Sequence, residues 1–226
     1  DILKSEPKSI LELGCYTGVF ANYLSSEENI FTTGVDIEKN LINFGNKKFK
    51  NDKLNLINLD YKNLNKLNNK FDYIFTNFGI ETIPDPKFDN YKLRENKNYS
   101  SQLKYFEEFF SYLNSVSNDE TEFLCLARIQ TLDCVLALVD ASHKNGWTWI
   151  NSDFNYIDCD NQIIPHLKFI KKISSLINID SFIHETLKFK DEENNELFQR
   201  NLFEKEKSKL KLLNKDSYKY EQTNDE

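Results

Sequence analysis

Apolar positions through Ala127 fall into two alternating rhythms. Short apolar runs at Ile10–Leu13, Phe31–Val35, Leu54–Leu59, Phe71–Thr76 and Phe123–Ala127 predict buried strands. Between them the spacing turns helical. Thr17–Glu28 carries Val19, Phe20, Tyr23 and Leu24 on one turn pattern, and Glu38–Phe49 carries Leu41, Ile42, Phe44 and Phe49. Leu103, Phe106, Phe110 and Leu113 recur at the spacing of an amphipathic helix. Thr131 stands where it can cap a further helix, with Leu132, Val135, Leu136 and Val139 on one face. Lys87–Asn98, polar and of mixed charge, predicts a loop. Strands alternating with helices in this way predict a parallel sheet built from βαβ units.

After Asn145-Gly146-Trp147 the rhythm changes. Trp147–Ile150 and Phe154–Ile157 precede the turn formers Asp158-Cys159-Asp160-Asn161, and Ile163–Ile173 follows. No helix fits between the last two apolar runs, so they are expected to pair antiparallel as a hairpin, with Pro165 at an edge or bulge. Residues 174–226 read as a charged helical extension, anchored by Leu197, Phe198, Leu202 and Phe203, with a frayed tail over Asp216–Glu226. Two units are expected: a core over residues 1–173 and the extension over 174–226.

Composition narrows the reading. Apolar residues are 39% and charged residues 29% of the chain, with 18 Phe and 11 Tyr, which predicts folding around a core. The net charge is −7, from 29 basic and 36 acidic residues, and argues against a surface that grips nucleic acid. The longest apolar run, Cys134–Val139, falls far short of a membrane span. The cysteines at 15, 125, 134 and 159 lack metal or CxxC spacing and read as buried thiols of a reducing, cytoplasmic compartment. No methionine is present, so the chain reads as a segment without its native start or N-terminal cap.

The chemistry concentrates where Ile10-Leu11-Glu12-Leu13 runs into Gly14-Cys15-Tyr16-Thr17-Gly18-Val19-Phe20. A strand ending in a glycine-bearing loop and a helix lets backbone approach a ligand at the carboxyl edge of the sheet. A phosphate loop would need Gly-Lys-Ser/Thr, and no lysine lies near Gly18. A dinucleotide fingerprint anchored at Gly14 would need glycine where Tyr16 and Val19 stand. Glu12, a carboxylate beside a sheet core, must find donors in a ligand or in the loop.

The pattern acidic-x-Gly-x-x-x-Gly followed by an aromatic resembles the first motif of class I S-adenosylmethionine-dependent methyltransferases, with Tyr16 in place of the usual central glycine. The resemblance continues through Val35-Asp36-Ile37, Leu59-Asp60-Tyr61, the Phe71–Gly79 strand and loop, and Asn145-Gly146-Trp147. It implies a Rossmann-like α/β three-layer sandwich with a mostly parallel seven-stranded sheet and an antiparallel terminal hairpin, followed here by the helical extension. It also implies S-adenosylmethionine as cofactor, held by Glu12, Gly14, Cys15, Tyr16, Gly18, Asp36, Ile37, Asp60, Tyr61 and Asn77. In that scheme Asp36 takes the ribose hydroxyls, Ile37 packs on adenine, Asp60 meets its amino group and Tyr61 flanks the ring. Asp36 and Asp60 have plainer uses as helix-capping and turn residues.

Catalytic candidates are Asn77 and Glu81 after strand four, with no metal ligands expected. The loop Pro84–Tyr99 is a candidate lid, with Arg94 facing an acidic substrate group. The expected reaction is methyl transfer to a small molecule or biosynthetic intermediate. Net acidity and the missing Pro-Pro motif after Asn77 argue against a nucleic-acid partner, and an oligomer contact through the C-terminal helix stays open. The competing reading keeps the fold as an inactive binding module.

Overall fold

The computed structural model describes residues 6–81, 99–128, 132–150, 155–159, 162–172, 210–214 and 219–222. Its first half runs β1 (Lys8–Leu13), α1 (Val19–Leu24), β2 (Ile30–Asp36), α2 (Lys39–Lys48), β3 (Leu54–Asn58), a 3₁₀ segment (Tyr61–Leu67) and β4 (Phe71–Glu81). It continues with α3 (Tyr99–Asn114), β5 (Ser117–Arg128), α4 (Leu132–Lys144), β6 (Thr148–Trp149), β7 (Asn155–Cys159) and β8 (Gln162–Ile170). Two further strands, β9 (Leu210–Asn214) and β10 (Lys219–Gln222), form a separate pair.

The main sheet has the order β3-β2-β1-β4-β5-β8-β6. The strands β3, β2, β1, β4 and β5 run parallel, and β8 enters antiparallel beside β5. Residue His166 of β8 pairs with Leu126 of β5 on one side and with Asn155 of β7 on the other. Phe169 likewise sits between Phe123 and Trp149. The short strands β6 and β7 therefore follow one another along the same outer edge of β8, and the sheet has seven positions with an interrupted last strand. Pro165 pairs with Tyr156 just past the last β5 partner, so its missing N–H faces the side that β5 no longer occupies.

Alternation along the strands sorts side chains between two helical layers. Leu11 and Leu13 join Val35, Ile74, Phe123, Cys125, Leu167 and Phe169 in the larger cluster, under Phe106, Phe109 and Phe110 of α3 and Leu138 of α4. Phe110 is the hub of its aromatics, with ring centroids 5.5 Å from Phe169, 5.9 Å from Trp147 and 6.0 Å from Phe123. On the other face, Cys15, Ala21, Ile42 and Leu56 form a smaller cluster under α1 and α2. This is the expected three-layer Rossmann-like arrangement. Among the described residues, no helix is long and apolar enough to cross a membrane.

Three expectations require correction. The helix foreseen over Thr17–Glu28 is only Val19–Leu24. Ser25 and Ser26 turn their hydroxyls back onto the carbonyls of Asn22 and Tyr23, and Glu27-Glu28 places negative charge where the helix dipole is already negative. Strand four does not stop at Thr76 but continues to Glu81, so Asn77 and Gly79 are strand rather than loop residues. The helical extension is contradicted at 210–214 and 219–222, where β9 and β10 pair antiparallel. There Leu210 and Leu212 alternate with Lys209 and Lys211, and Tyr218 and Tyr220 flank Lys219, a period of two filled with strand-forming aromatics. The rest of 174–226 lies outside the described residues, as do the Thr131 cap and the Lys87–Asn98 loop.

Candidate cofactor site at the carboxyl ends of the strands

Strand order reverses at β1, which has β2 on one side and β4 on the other, and ligand crevices of open α/β sheets lie at such switch points. The loop Gly14–Gly18 leaves β1 there. Gly14 and Cys15 both donate their N–H groups to the Val35 carbonyl, at 2.9 and 3.0 Å, and Gly18 donates to the Cys15 carbonyl at 2.7 Å. Gly14 and Gly18 have φ of 69° and 77°. A Cβ on Gly14 would lie 2.5 Å from the Gly79 Cα, and one on Gly18 2.5 Å from the Leu56 side chain. Both turns thus need glycine for conformation and for space.

The end of β4 is stitched beneath this loop. Thr76 Oγ1 donates to the Leu13 carbonyl at 3.2 Å and accepts the Gly79 N–H at 3.0 Å. Pairing with β5 shifts between Asn77↔Leu126 and Glu81↔Arg128, leaving extra residues on β4 at the edge of the crevice. Asn77 is exposed there, and Glu81 ends the strand.

Asp36 ends β2 and ties the neighbouring turns together. Its Oδ2 accepts the Tyr16 N–H and its Oδ1 the Glu38 N–H, each at 2.8 Å. Asn58 fixes the same corner from β3, donating Nδ2 to the carbonyls of Asp36 and Ile37 at 2.9 and 2.8 Å. The helix-capping reading of Asp36 is not realised, because α2 starts at Lys39 with Glu38 as N-cap and no side-chain cap bond; Asp36 instead closes a turn onto Glu38, and each carboxylate oxygen retains acceptor capacity for a hydroxyl. Ile37 beside it is 64% exposed, an apolar surface facing out of the crevice corner.

Asp60 and Tyr61 have local employment. Asp60 Oδ1 accepts the Lys62 N–H at 2.9 Å and caps the 3₁₀ segment. Tyr61 packs into α3, with its ring 5.6 Å from Phe109 and its hydroxyl 3.1 Å from that of Tyr105. The geometry thus gives Tyr61 a packing role and brings Glu12, Gly14, Tyr16, Gly18, Asp36 and Ile37 around one corner.

Glu12 is the most unusual group of the site. It alternates with Leu11 and Leu13, so it points toward α1, where it accepts the Ala21 N–H. It is only 4% exposed, and its Oε2 has no hydrogen-bond partner. Burial, reinforced by the nearby Asp36 charge, pushes its carboxyl up to about 8 despite the Ala21 bond. Burial and the charges of Glu12 and Asp36 push the Cys15 thiol up as well, so Cys15 is a small packing residue and not a thiolate.

Gly79, Leu56, Asn58 and Thr76 shape the site yet were not foreseen as parts of it. For Gly79 the signal was present in the chain as a glycine two residues beyond Asn77. The other three act through backbone and van der Waals contacts that no motif spells out. The candidate lid Pro84–Tyr99, with Arg94 and the side chain of Tyr99, lies outside the described residues, as does the side chain of Glu81.

The residues at the corner fit an adenosyl cofactor. An orphaned buried acceptor stands under a glycine loop, a carboxylate with spare acceptor capacity ends β2, and an exposed aliphatic residue follows it. Comparison with known proteins points the same way. Residues 10–94 match the family of the methyltransferase domain. A ribosomal RNA small subunit methyltransferase A from Mesomycoplasma hyopneumoniae strain 232 is 48% identical over 54 residues, 24% of this chain. The match spans only 20% of that relative's length.

Solved structures agree in fold. Magnesium protoporphyrin IX methyltransferase from Synechocystis PCC 6803, with bound S-adenosylmethionine, superposes with a TM-score of 0.50 at 11% identity, over 74% of this chain and 71% of that one. A 16S rRNA adenine methyltransferase from Catenulisporales acidiphilia gives 0.53 at 12% identity, over 75% and 87%. The expectation that set nucleic acid aside as a partner is thereby overturned, because the curated relatives are ribosomal RNA methyltransferases. Net charge was the wrong guide, since it sums the whole chain whereas a nucleic-acid contact needs only a local surface. Residues 10–94 thus match the methyltransferase domain, and the sheet order and glycine loop agree with that match.

Proposed function

We propose that this chain binds S-adenosylmethionine at the Gly14–Gly18 corner and transfers its methyl group to a nucleophile brought to the end of β4. The observation that carries the reading is the joint arrangement of Asp36 and Glu12. Asp36 is oriented by the N–H groups of Tyr16 and Glu38, and Glu12 keeps a buried oxygen without a donor. In this reading Asp36 takes the ribose hydroxyls, Ile37 lies against adenine, and Glu12 answers the cationic amino group of the methionyl end.

The bound cofactor supplies an electrophilic methyl group on a sulfonium. The chain's task is alignment: holding acceptor and methyl in line is worth up to ~7–11 kcal/mol in the best intramolecular systems, so no fixed base is required. Asn77, exposed at the bulged end of β4, would orient the acceptor through its amide, and Glu81, which ends the strand, is the candidate to receive a proton. The residues at this end of β4 would hold the acceptor in line with the methyl group, and any proton the acceptor carries would leave to solvent or to a carboxylate there. The match to curated ribosomal RNA methyltransferases supports testing nucleic acid beside small metabolites as acceptor.

Calorimetric titration with S-adenosylmethionine and its demethylated product tests the cofactor claim, with Asp36→Ala as the control. Binding by the wild-type chain and marked weakening in the variant are expected; no binding of either ligand by the wild-type chain sinks the reading. Incorporation of label from methyl-tritiated cofactor into RNA or into a metabolite fraction then assigns the acceptor. Binding without transfer to any fraction returns the chain to the role of a binding module.

A further inference from the structure

Tyr16 pays a conformational cost that glycine would not. Two described non-glycine residues have positive φ, Tyr16 at 54° and Asn68 at 53°. Asparagine visits this region readily, but an aromatic side chain does not. The backbone role of Tyr16 is to donate its N–H to Asp36 Oδ2, which any residue can perform. Packing does not offset the strain either, because the residue is 64% exposed and belongs to neither hydrophobic cluster. A strained, exposed residue in the loop of the proposed cofactor corner points to a partner that occupies that corner.

We propose that Tyr16 is a specificity-determining residue for the cofactor: its exposed ring forms the wall beside the sulfonium and favours the cationic methyl donor over its neutral demethylated product. The inference rests on the cofactor reading of the preceding section. Its geometry starts from Asp36, which holds the Tyr16 backbone and is the proposed ribose acceptor. The sulfonium is joined to the 5′ carbon of that ribose, so a cofactor held by Asp36 would bring it to the loop that carries Tyr16. An aromatic face attracts a positive charge and has no comparable attraction for a thioether. Ile37, the other exposed apolar group at Asp36, is aliphatic and cannot make that distinction. The same preference helps release product after transfer, since the charge that the ring recognises is consumed by the reaction.

The test is the ratio of affinities, read by calorimetry for S-adenosylmethionine and for its demethylated product. Wild type, Tyr16→Phe, Tyr16→Leu and Tyr16→Gly are compared, with thermal melts of each ligand-free protein. Tyr16→Phe is expected to keep the wild-type ratio. Tyr16→Leu is expected to lose about tenfold in its preference for the charged ligand, with affinity for the neutral product changed less than about twofold. Tyr16→Gly is expected to melt no lower than wild type while losing the same preference. Equal loss for both ligands would show the ring lying against adenosine and overturn the proposal, as would an unchanged ratio in all variants. Failure of the wild-type chain to bind either ligand is a different result, because it removes the cofactor reading itself.

Discussion

Asp36 braces two turns at one corner and is the proposed ribose acceptor, which makes its substitution informative in both directions. Alanine there leaves the N–H groups of Tyr16 and Glu38 to water, and the loss of such hydrogen bonds costs about 1–2 kcal/mol. Ribose hydroxyls accepted by a carboxylate contribute about 1.5–3 kcal/mol each, so cofactor affinity is expected to fall by more than about tenfold. Asp36→Asn retains one acceptor oxygen and is expected to lose less stability than Asp36→Ala while still binding the cofactor poorly. Urea denaturation and calorimetry on the two variants separate bracing from binding. Gly14 is a purely steric case. Gly14→Ala sets a Cβ against the Gly79 backbone in a left-handed conformation and is expected to cost about 3 kcal/mol, measured by urea denaturation. If that variant is as stable as wild type, β4 does not close over the loop as described.

Elements were legible in the chain wherever a period ran long enough to be heard. The α2 helix lies within one residue of the expected Glu38–Phe49, and the hairpin of β7 and β8 follows from the lack of helical length between two apolar runs. Boundaries set by side-chain-to-backbone bonds were not legible, as at Ser25 and Ser26, because capping competes with helical period at the same residues. The same limit explains the site. Glycine spacing pointed to Gly14 and Gly18 and the family resemblance to Asp36, but the bond from Asn58 to two carbonyls depends on β3 lying beside β2, a fact of pairing rather than of motif. Tyr61 shows the converse: its place after a strand resembles a ring-flanking position, yet α3 supplies Phe109, Tyr105 and Tyr112 and claims it for packing. The α3 layer gives the sharpest test at this scale. Phe110 is fully buried among four aromatic rings, so Phe110→Ala is expected to cost about 3–5 kcal/mol in urea denaturation. A loss below about 1 kcal/mol would mean that α3 does not dock on the sheet in this way.

For the molecule as a whole, the buried Glu12 couples stability to pH and, under the proposed function, both to the cofactor. In the unfolded chain its carboxyl has the ordinary value of 4.5, whereas in the fold it is held at about 8. Below about pH 4.5 both states carry the proton, and Glu12 does not tilt the balance. Between those values the unfolded chain has released the proton and the folded one has not, so each pH unit costs the fold about 1.4 kcal/mol. Above about pH 8 the loss stops growing. Stability from this residue is thus lost as pH rises, the reverse of a carboxylate stabilised by a salt bridge. Glu12→Gln removes the titration and keeps an acceptor for the Ala21 N–H, so its melting temperature is expected to exceed that of wild type increasingly from about pH 6 to pH 8. A cationic amino group set beside the orphaned Oε2 favours the charged carboxylate and forces the proton off. Cofactor binding near pH 7 is therefore expected to release close to one proton, read as a dependence of calorimetric heat on the ionisation enthalpy of the buffer. In Glu12→Gln that dependence should vanish and affinity should fall, although the fold is firmer. Proton release that persists in the variant would assign it to another group and remove Glu12 from the cofactor's charged end.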